Sequence, residues 1–101
     1  MAKEYKDEEV FKRDGFRCVY CGFDGRSFTG WTFLVVDHFR PKWKDGGHDE
    51  ENLKTACCIC NLMKAGKVYQ TVEEAGAELR LWRSQMKEYW DKNVKPLVPT
   101  I

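Results

Sequence analysis

Two Cys-x-x-Cys pairs, Cys18–Cys21 and Cys57–Cys60, constrain this chain more than any other feature of it. Each pair offers two sulfurs from one tight turn, and residues 22–56 lie between the pairs. Four thiolates gathered from distant parts of a chain suit a structural zinc ion, which prefers a closed tetrahedral set. The competing reading is a reduced, buried cysteine cluster or a redox dithiol, although one redox Cys-x-x-Cys needs no second. The fifth cysteine, Cys58, would give a poorer Cys-x-Cys bite with Cys60 and is read as a small buried hydrophobe. The odd cysteine count and the lack of an export signal disfavour a disulfide framework.

A length of 101 residues fits a single domain, 1–101, with a core thin enough to benefit from a metal staple. The 14% aromatic content speaks against disorder. No run approaches the ~20 apolar residues that span a bilayer, so no membrane partner is expected. The charged start, Met1 to Glu9, has no apolar signal core, which points to an unprocessed cytoplasmic protein. Net charge is only +1 with a pI near 7.6. Nucleic-acid-binding domains often exceed a pI of about 9, so any case for DNA must rest on local charge.

Residues 7–14 read as a short helix with Asp7 as N-cap, Glu8 four residues before Lys12, and Gly15 as the stop. Residues 16–22 form a knuckle and 23–30 a loop. Residues 31–37 are the best strand candidate, rich in aromatic and β-branched types. A polar loop, 39–51, contains Pro41 and Gly46–Gly47; residues 53–56 form a short second strand. A helix from Cys58 to Ala65 would end at Gly66. Thr71 and Glu74 have capping-box spacing and open a helix over 72–92. Its apolar stripe is Val72, Ala75, Leu79, Trp82, Met86 and Tyr89, most simply core packing, with a DNA surface or dimer seam as minority readings. The tail beyond Lys95-Pro96 is irregular. The fold class is therefore α+β: two short strands and a helix, stapled by four cysteines, with helices on either side.

Between the knuckles stand Asp37-His38, Gly46-Gly47 and Asn52, and Asn61 directly follows the second. Asp37 and Asn61 offer hard oxygens of the kind Mg²⁺ or Mn²⁺ takes while retaining several waters. His38 is a candidate general base near neutral pH. A base beside a divalent cation is a workable kit for phosphodiester hydrolysis. A hydrogen-bonded surface pair is the plainer reading of Asp37 and His38.

Over roughly residues 16–67 the pattern resembles the HNH nuclease family, also called ββα-metal or His-Me finger, in its zinc-bearing branch. The resemblance implies that His38 is the base that takes a proton from water. Asp37 is implied as a metal ligand, and Asn52 as the brace of the loop between the strands. Asn61 stands where the third residue is often His, which makes this an HNN variant, with catalytic and metal-binding parts to play. The implied activity is one-metal DNA cleavage that leaves 5′-phosphate and 3′-hydroxyl ends, in a phage or bacterial setting. Neighbouring strand residues face opposite ways, so Asp37 and His38 can act together only if the strand ends or bulges there.

Arg40, Lys42, Lys64 and Lys67 are the expected DNA contacts, with Lys44 and Lys54 nearby; a solvated basic loop is the alternative. His48 reads as an exposed loop histidine, with a part at the metal or a phosphate as the minor alternative. Trp43 is a speculative base-stacking residue. Candidate partners besides DNA are a specificity-giving protein or a second copy of the chain. The rival function is a non-catalytic zinc module that binds DNA or protein.

Overall fold

The computed structural model describes residues 7–44 and 46–100. The charged segment 1–6, read above for signal sequences, lies outside them, as do Asp45 and Ile101.

Helix α1, Asp7–Arg13, carries three acidic residues in its first turn and two basic ones in its last, each complementing the helix dipole. Asp7 is the first helical residue rather than the cap. Val10 and Phe11 are buried, and the helix packs on both strands. Polar bonds fix its angle. The Thr55 amide donates to Asp14 Oδ2 at 2.9 Å, and Arg13 Nη1 donates to the Glu50 carbonyl at 2.8 Å.

The first knuckle follows, closed by Gly22 N–H to the Cys18 carbonyl (2.9 Å) and by Cys18 N–H to Phe23 (3.0 Å). Val19 N–H reaches the Thr55 carbonyl at 2.9 Å, which ties the knuckle to the second strand. Residues 23–30 are not all loop: Phe28–Trp31 form a one-turn helix, α2. Ser27 caps it, its hydroxyl accepting from Gly30 N–H at 3.0 Å. That cap delays the first strand, which runs over Leu34–His38 (β1) instead of 31–37. Trp31 and Phe33, counted into the strand by their β-propensity, stay exposed outside it.

Strand β2, Leu53–Cys57, pairs antiparallel with β1 from Leu34 opposite Cys57 to His38 opposite Leu53. The strand does end at His38, and the ladder reaches that residue without a bulge. Helix α3, Cys58–Lys64, starts where β2 stops. It ends one residue early: Ala65, not Gly66, takes the positive φ of 49° at its C-cap.

Thr71 caps α4, Val72–Tyr89, accepting from Glu74 N–H at 3.0 Å. Glu74 answers to the Gln70 amide at 3.3 Å rather than to Thr71 itself. Ala75 and Leu79 are fully buried with Tyr20, Tyr69 and the knuckle cysteines. Gly76 permits that fit, since a Cβ there would press to 3.0 Å from the Tyr20 carbonyl. The stripe is buried only over its first half. Met86 and Tyr89 are exposed, because no core remains for α4 to cover, and the chain goes on in a π-helical turn at Trp90–Val94. Among the described residues, no helix is long and apolar enough to cross a membrane.

Candidate active site and metal centre

The ligand atoms of Cys18, Cys21, Cys57 and Cys60 lie within 4.8 Å of one another. Sulfurs about 2.3 Å from a shared zinc stand about 3.8 Å apart in a tetrahedron. Cys21 and Cys57 Sγ are 3.8 Å apart. Cys57 sits at the N-cap of α3, where its sulfur accepts from Cys60 N–H at 3.4 Å. Arg83, reaching across from α4, donates to the same sulfur at 3.7 Å. Hydrogen bonds from the other three thiols pull Cys57 below its ordinary range, and the same crowding pushes Cys60 up. Four such thiols ionise together only around a cation, which is the chemistry zinc supplies. The donor set fits zinc in number, type and spacing. Cys58 lies outside the cluster and is half-buried.

The knuckles also carry side chains to the end of β1. Tyr20, inside the first knuckle, is fully buried and donates its hydroxyl to Asp37 Oδ2 at 2.6 Å. Burial first, then Asp37, pushes its phenol far above the ordinary range, so it remains a donor. Asn61 follows the ligand Cys60, and its amide donates to Asp37 Oδ1 at 2.9 Å. Lys64, one turn on, is also fully buried; its ammonium lies 3.4 Å from Asp37 Oδ2 and 3.3 Å from the His38 carbonyl. Asp37 is itself 3% exposed. Its charge is thus balanced inside the protein by one lysine and held by two neutral donors, as a buried carboxylate requires.

The His38 side chain stands apart from that network, which reaches only its carbonyl. Its imidazole, half-buried, meets His48, with Nε2 and Nδ1 3.2 Å apart. Burial first, then electrostatic repulsion from His48 and Lys42, lowers its pKa from the usual 6.5 against the pull of Asp37. Asn52 closes the loop behind it. Its Oδ1 accepts from Arg40 N–H at 2.8 Å, while Nδ2 donates to the carbonyls of Arg40 (3.1 Å) and Gly47 (2.9 Å). Gly46 packs so closely on the Arg40 and Pro41 carbonyls that no Cβ fits there, which accounts for a glycine at that place.

The basic residues divide in two. Arg40 and Lys42 are exposed beside His38 along the chain. Lys64 is buried against Asp37, not offered outward, and Lys67 binds Glu78 at 2.5 Å under the Trp82 ring. Trp43 donates its indole N–H to the Gly66 carbonyl at 3.1 Å. Two residues escaped the sequence reading. Tyr20 has no role in it, although a hydroxyl between two metal ligands must find a partner when buried. His48 is exposed in its loop as expected, but its pairing with His38 has no sequence signal, because the clamp on Gly47 is a matter of tertiary geometry.

These features define a class: a small ββα unit stapled by a four-cysteine centre, with a carboxylate and a histidine closing its first strand. Residues 18–67 match the family model described as HNH endonuclease, and the chain belongs to that family. It is similar to the Type 4 apparatus protein DotN of Legionella pneumophila subsp. pneumophila (strain Philadelphia 1). The two are 32% identical over 54 residues, which is 54% of this chain and 22% of that relative. The chain thus spans about a fifth of the relative's length. No solved structure matches the chain.

Proposed function

We propose that residues 7–100 act as one HNH domain that hydrolyses phosphodiester bonds in DNA with a divalent cation. The observation that carries this reading is His38 at the end of β1, its pKa lowered by burial, with the Asp37–Asn61 pair on the preceding residue and the Asn52 clamp behind it. A lowered pKa keeps the imidazole unprotonated at pH 7, the state a general base needs. His38 takes a proton from water, the hydroxide attacks phosphorus in line, and the 3′ oxygen leaves. The products carry 5′-phosphate and 3′-hydroxyl ends.

Asp37 and Asn61 would hold Mg²⁺ or Mn²⁺ by a carboxylate oxygen and an amide oxygen, both hard donors, once the Asn61 amide, which here turns its nitrogen to Asp37 Oδ1, rotates to present its oxygen. Bound there, the cation would offset the negative charge that develops on the phosphate and leaving oxygen. Tyr20 holds Asp37 in place from below. Arg40 and Lys42, both exposed, are the phosphate contacts of this proposal; Lys64 supports the site from inside. Reduced zinc thiolates suit a cytoplasmic setting. A sequence-specific partner or a second copy would be needed to direct cutting, because the basic surface beside the site is small.

A second reading has its own observation. Lys64 already neutralises Asp37, so the site is electrostatically complete with no divalent cation. A zinc-stapled interaction module needs nothing more, and the similar Legionella protein is named for an apparatus rather than a reaction. Conversion of supercoiled plasmid separates the two. Cutting with Mg²⁺ or Mn²⁺ that is lost in a folded, zinc-loaded His38→Ala variant supports the nuclease. Intact plasmid with folded wild type across both metals removes it in favour of the module.

A further inference from the structure

The candidate base has a histidine partner. His48 Nδ1 lies 3.2 Å from His38 Nε2, with the rings edge-on at 75° and their centroids 4.9 Å apart. The contact does not depend on a long side chain finding its place. The Asn52 amide fixes Gly47, immediately before His48, with the same nitrogen that bonds Arg40, two residues after His38. Gly46 N–H closes the turn onto the Pro41 carbonyl at 2.9 Å. Both histidines are therefore set by one clamp, from opposite ends of one loop.

Two neutral imidazoles at this distance share a single proton, and only one arrangement is useful to a base. If His48 Nδ1 donated, His38 would carry its own proton on Nδ1 and have no free nitrogen. If His38 Nε2 donates, its Nδ1 keeps a lone pair. The hydrogen bond at one ring nitrogen decides the state of the other.

We propose that His48 is a positioning residue of this site, accepting the Nε2 proton of His38 and so leaving His38 Nδ1 to take a proton from water. The inference rests on the nuclease reading above. In the step itself, one water O–H bond breaks and its proton goes to His38 Nδ1; the hydroxide oxygen bonds to phosphorus as the P–O3′ bond breaks, and the leaving 3′ oxygen takes a proton from solvent. The imidazolium that forms still donates from Nε2 to neutral His48. That bond becomes charge-assisted and strengthens as the reaction proceeds, so His48 steadies the charge as well as the tautomer. It touches neither water nor phosphate.

The test uses the full zinc-loaded chain labelled with ¹⁵N-histidine. Long-range ¹H–¹⁵N spectra at pH 8 should show His38 protonated on Nε2 and bare on Nδ1. His48 should be bare on Nδ1, and the shared proton should exchange slowly. In His48→Ala that proton should exchange rapidly. Plasmid cutting by His48→Ala should lose about 10-fold or more in kcat, the usual cost of removing an orienting partner, with KM little changed. His48→Asn, whose amide oxygen can take the place of Nδ1, should restore most of it. A bare His38 Nε2, or proton exchange unchanged in His48→Ala, overturns the assignment. So does full activity in His48→Ala. A correct spectrum from a wild type that never cuts leaves the pair in place but removes the nuclease reading, and His48's task with it.

Discussion

Replacing Tyr20 by Phe removes one oxygen from the centre of the molecule and nothing else. The ring keeps its place, so no cavity term enters. What is lost is a 2.6 Å bond to Asp37, a carboxylate that at 3% exposure is shut off from bulk solvent. Hydrogen bonds to charged groups contribute roughly 1.5–3 kcal/mol. Asp37 keeps Lys64 and the Asn61 amide, which puts the loss near the middle of that range, about 2 kcal/mol. For a domain of this size each kcal/mol moves the melting midpoint by about 4–8 °C. Tyr20→Phe should therefore melt about 8–16 °C lower at equal free zinc. In an Asp37→Asn background, which removes the charge, the same substitution should cost markedly less. A midpoint within 2–3 °C of wild type, roughly half a kcal/mol, would refute the claim that the knuckle holds the candidate site through this hydroxyl. So would an equal loss in the Asp37→Asn background.

Three further outcomes follow from the geometry. Lys64→Met leaves the Asp37 carboxylate buried without its counter-ion, which should cost about 3–5 kcal/mol in urea unfolding. Millimolar Mg²⁺ should recover more of that loss than it adds to wild type, and no differential response would argue against cation binding at Asp37. Ala65 sits at a left-handed φ of 49°, a conformation costing about 1–3 kcal/mol for a residue with a Cβ. Ala65→Gly should raise thermal stability by roughly 1 kcal/mol after the entropy cost of glycine, and a lower midpoint would count against it. Because burial, His48, Lys42 and Lys64 together outweigh Asp37 in lowering the His38 pKa, the base stays unprotonated as pH falls to 6.5. The acid limb of kcat/KM for plasmid cutting should thus have its midpoint below 6.5, and Lys42→Gln should move it upward; a midpoint above 6.5 would contradict the assignment.

Much of the frame was legible before any coordinates. Cysteine spacing, the β-rich run before Asp37 and the Thr71–Glu74 cap all report local physics, and each marks an element within a few residues. The misplaced start of β1 has a local cause too. Ser27 is a good N-cap, but its helix is a single turn and leaves no periodicity to read, so propensity alone pulled Trp31 and Phe33 into the strand. The overlong apolar stripe of α4 fails differently. Sequence periodicity shows which residues share a face, but not how far a core extends beneath them, and here it stops before Met86.

At the site, the type of each group was legible and its partner was not. Asp37, Asn61 and Lys64 could all be named from their residue classes. That Lys64 turns inward depends on its place one helical turn after Cys60, on a helix whose first residue follows directly from β2. The two knuckles do more than staple the fold in this arrangement. One carries Tyr20 and the other carries Asn61 and Lys64, so among the described residues the bonds to the Asp37 side chain come from within four positions of a cysteine ligand. The His38 imidazole belongs to a separate system, the Asn52 clamp and His48. Loss of zinc should then loosen Asp37 before it disturbs the histidine pair, because the knuckles hold the Asp37 side chain directly and reach His38 only at its backbone carbonyl, through Lys64.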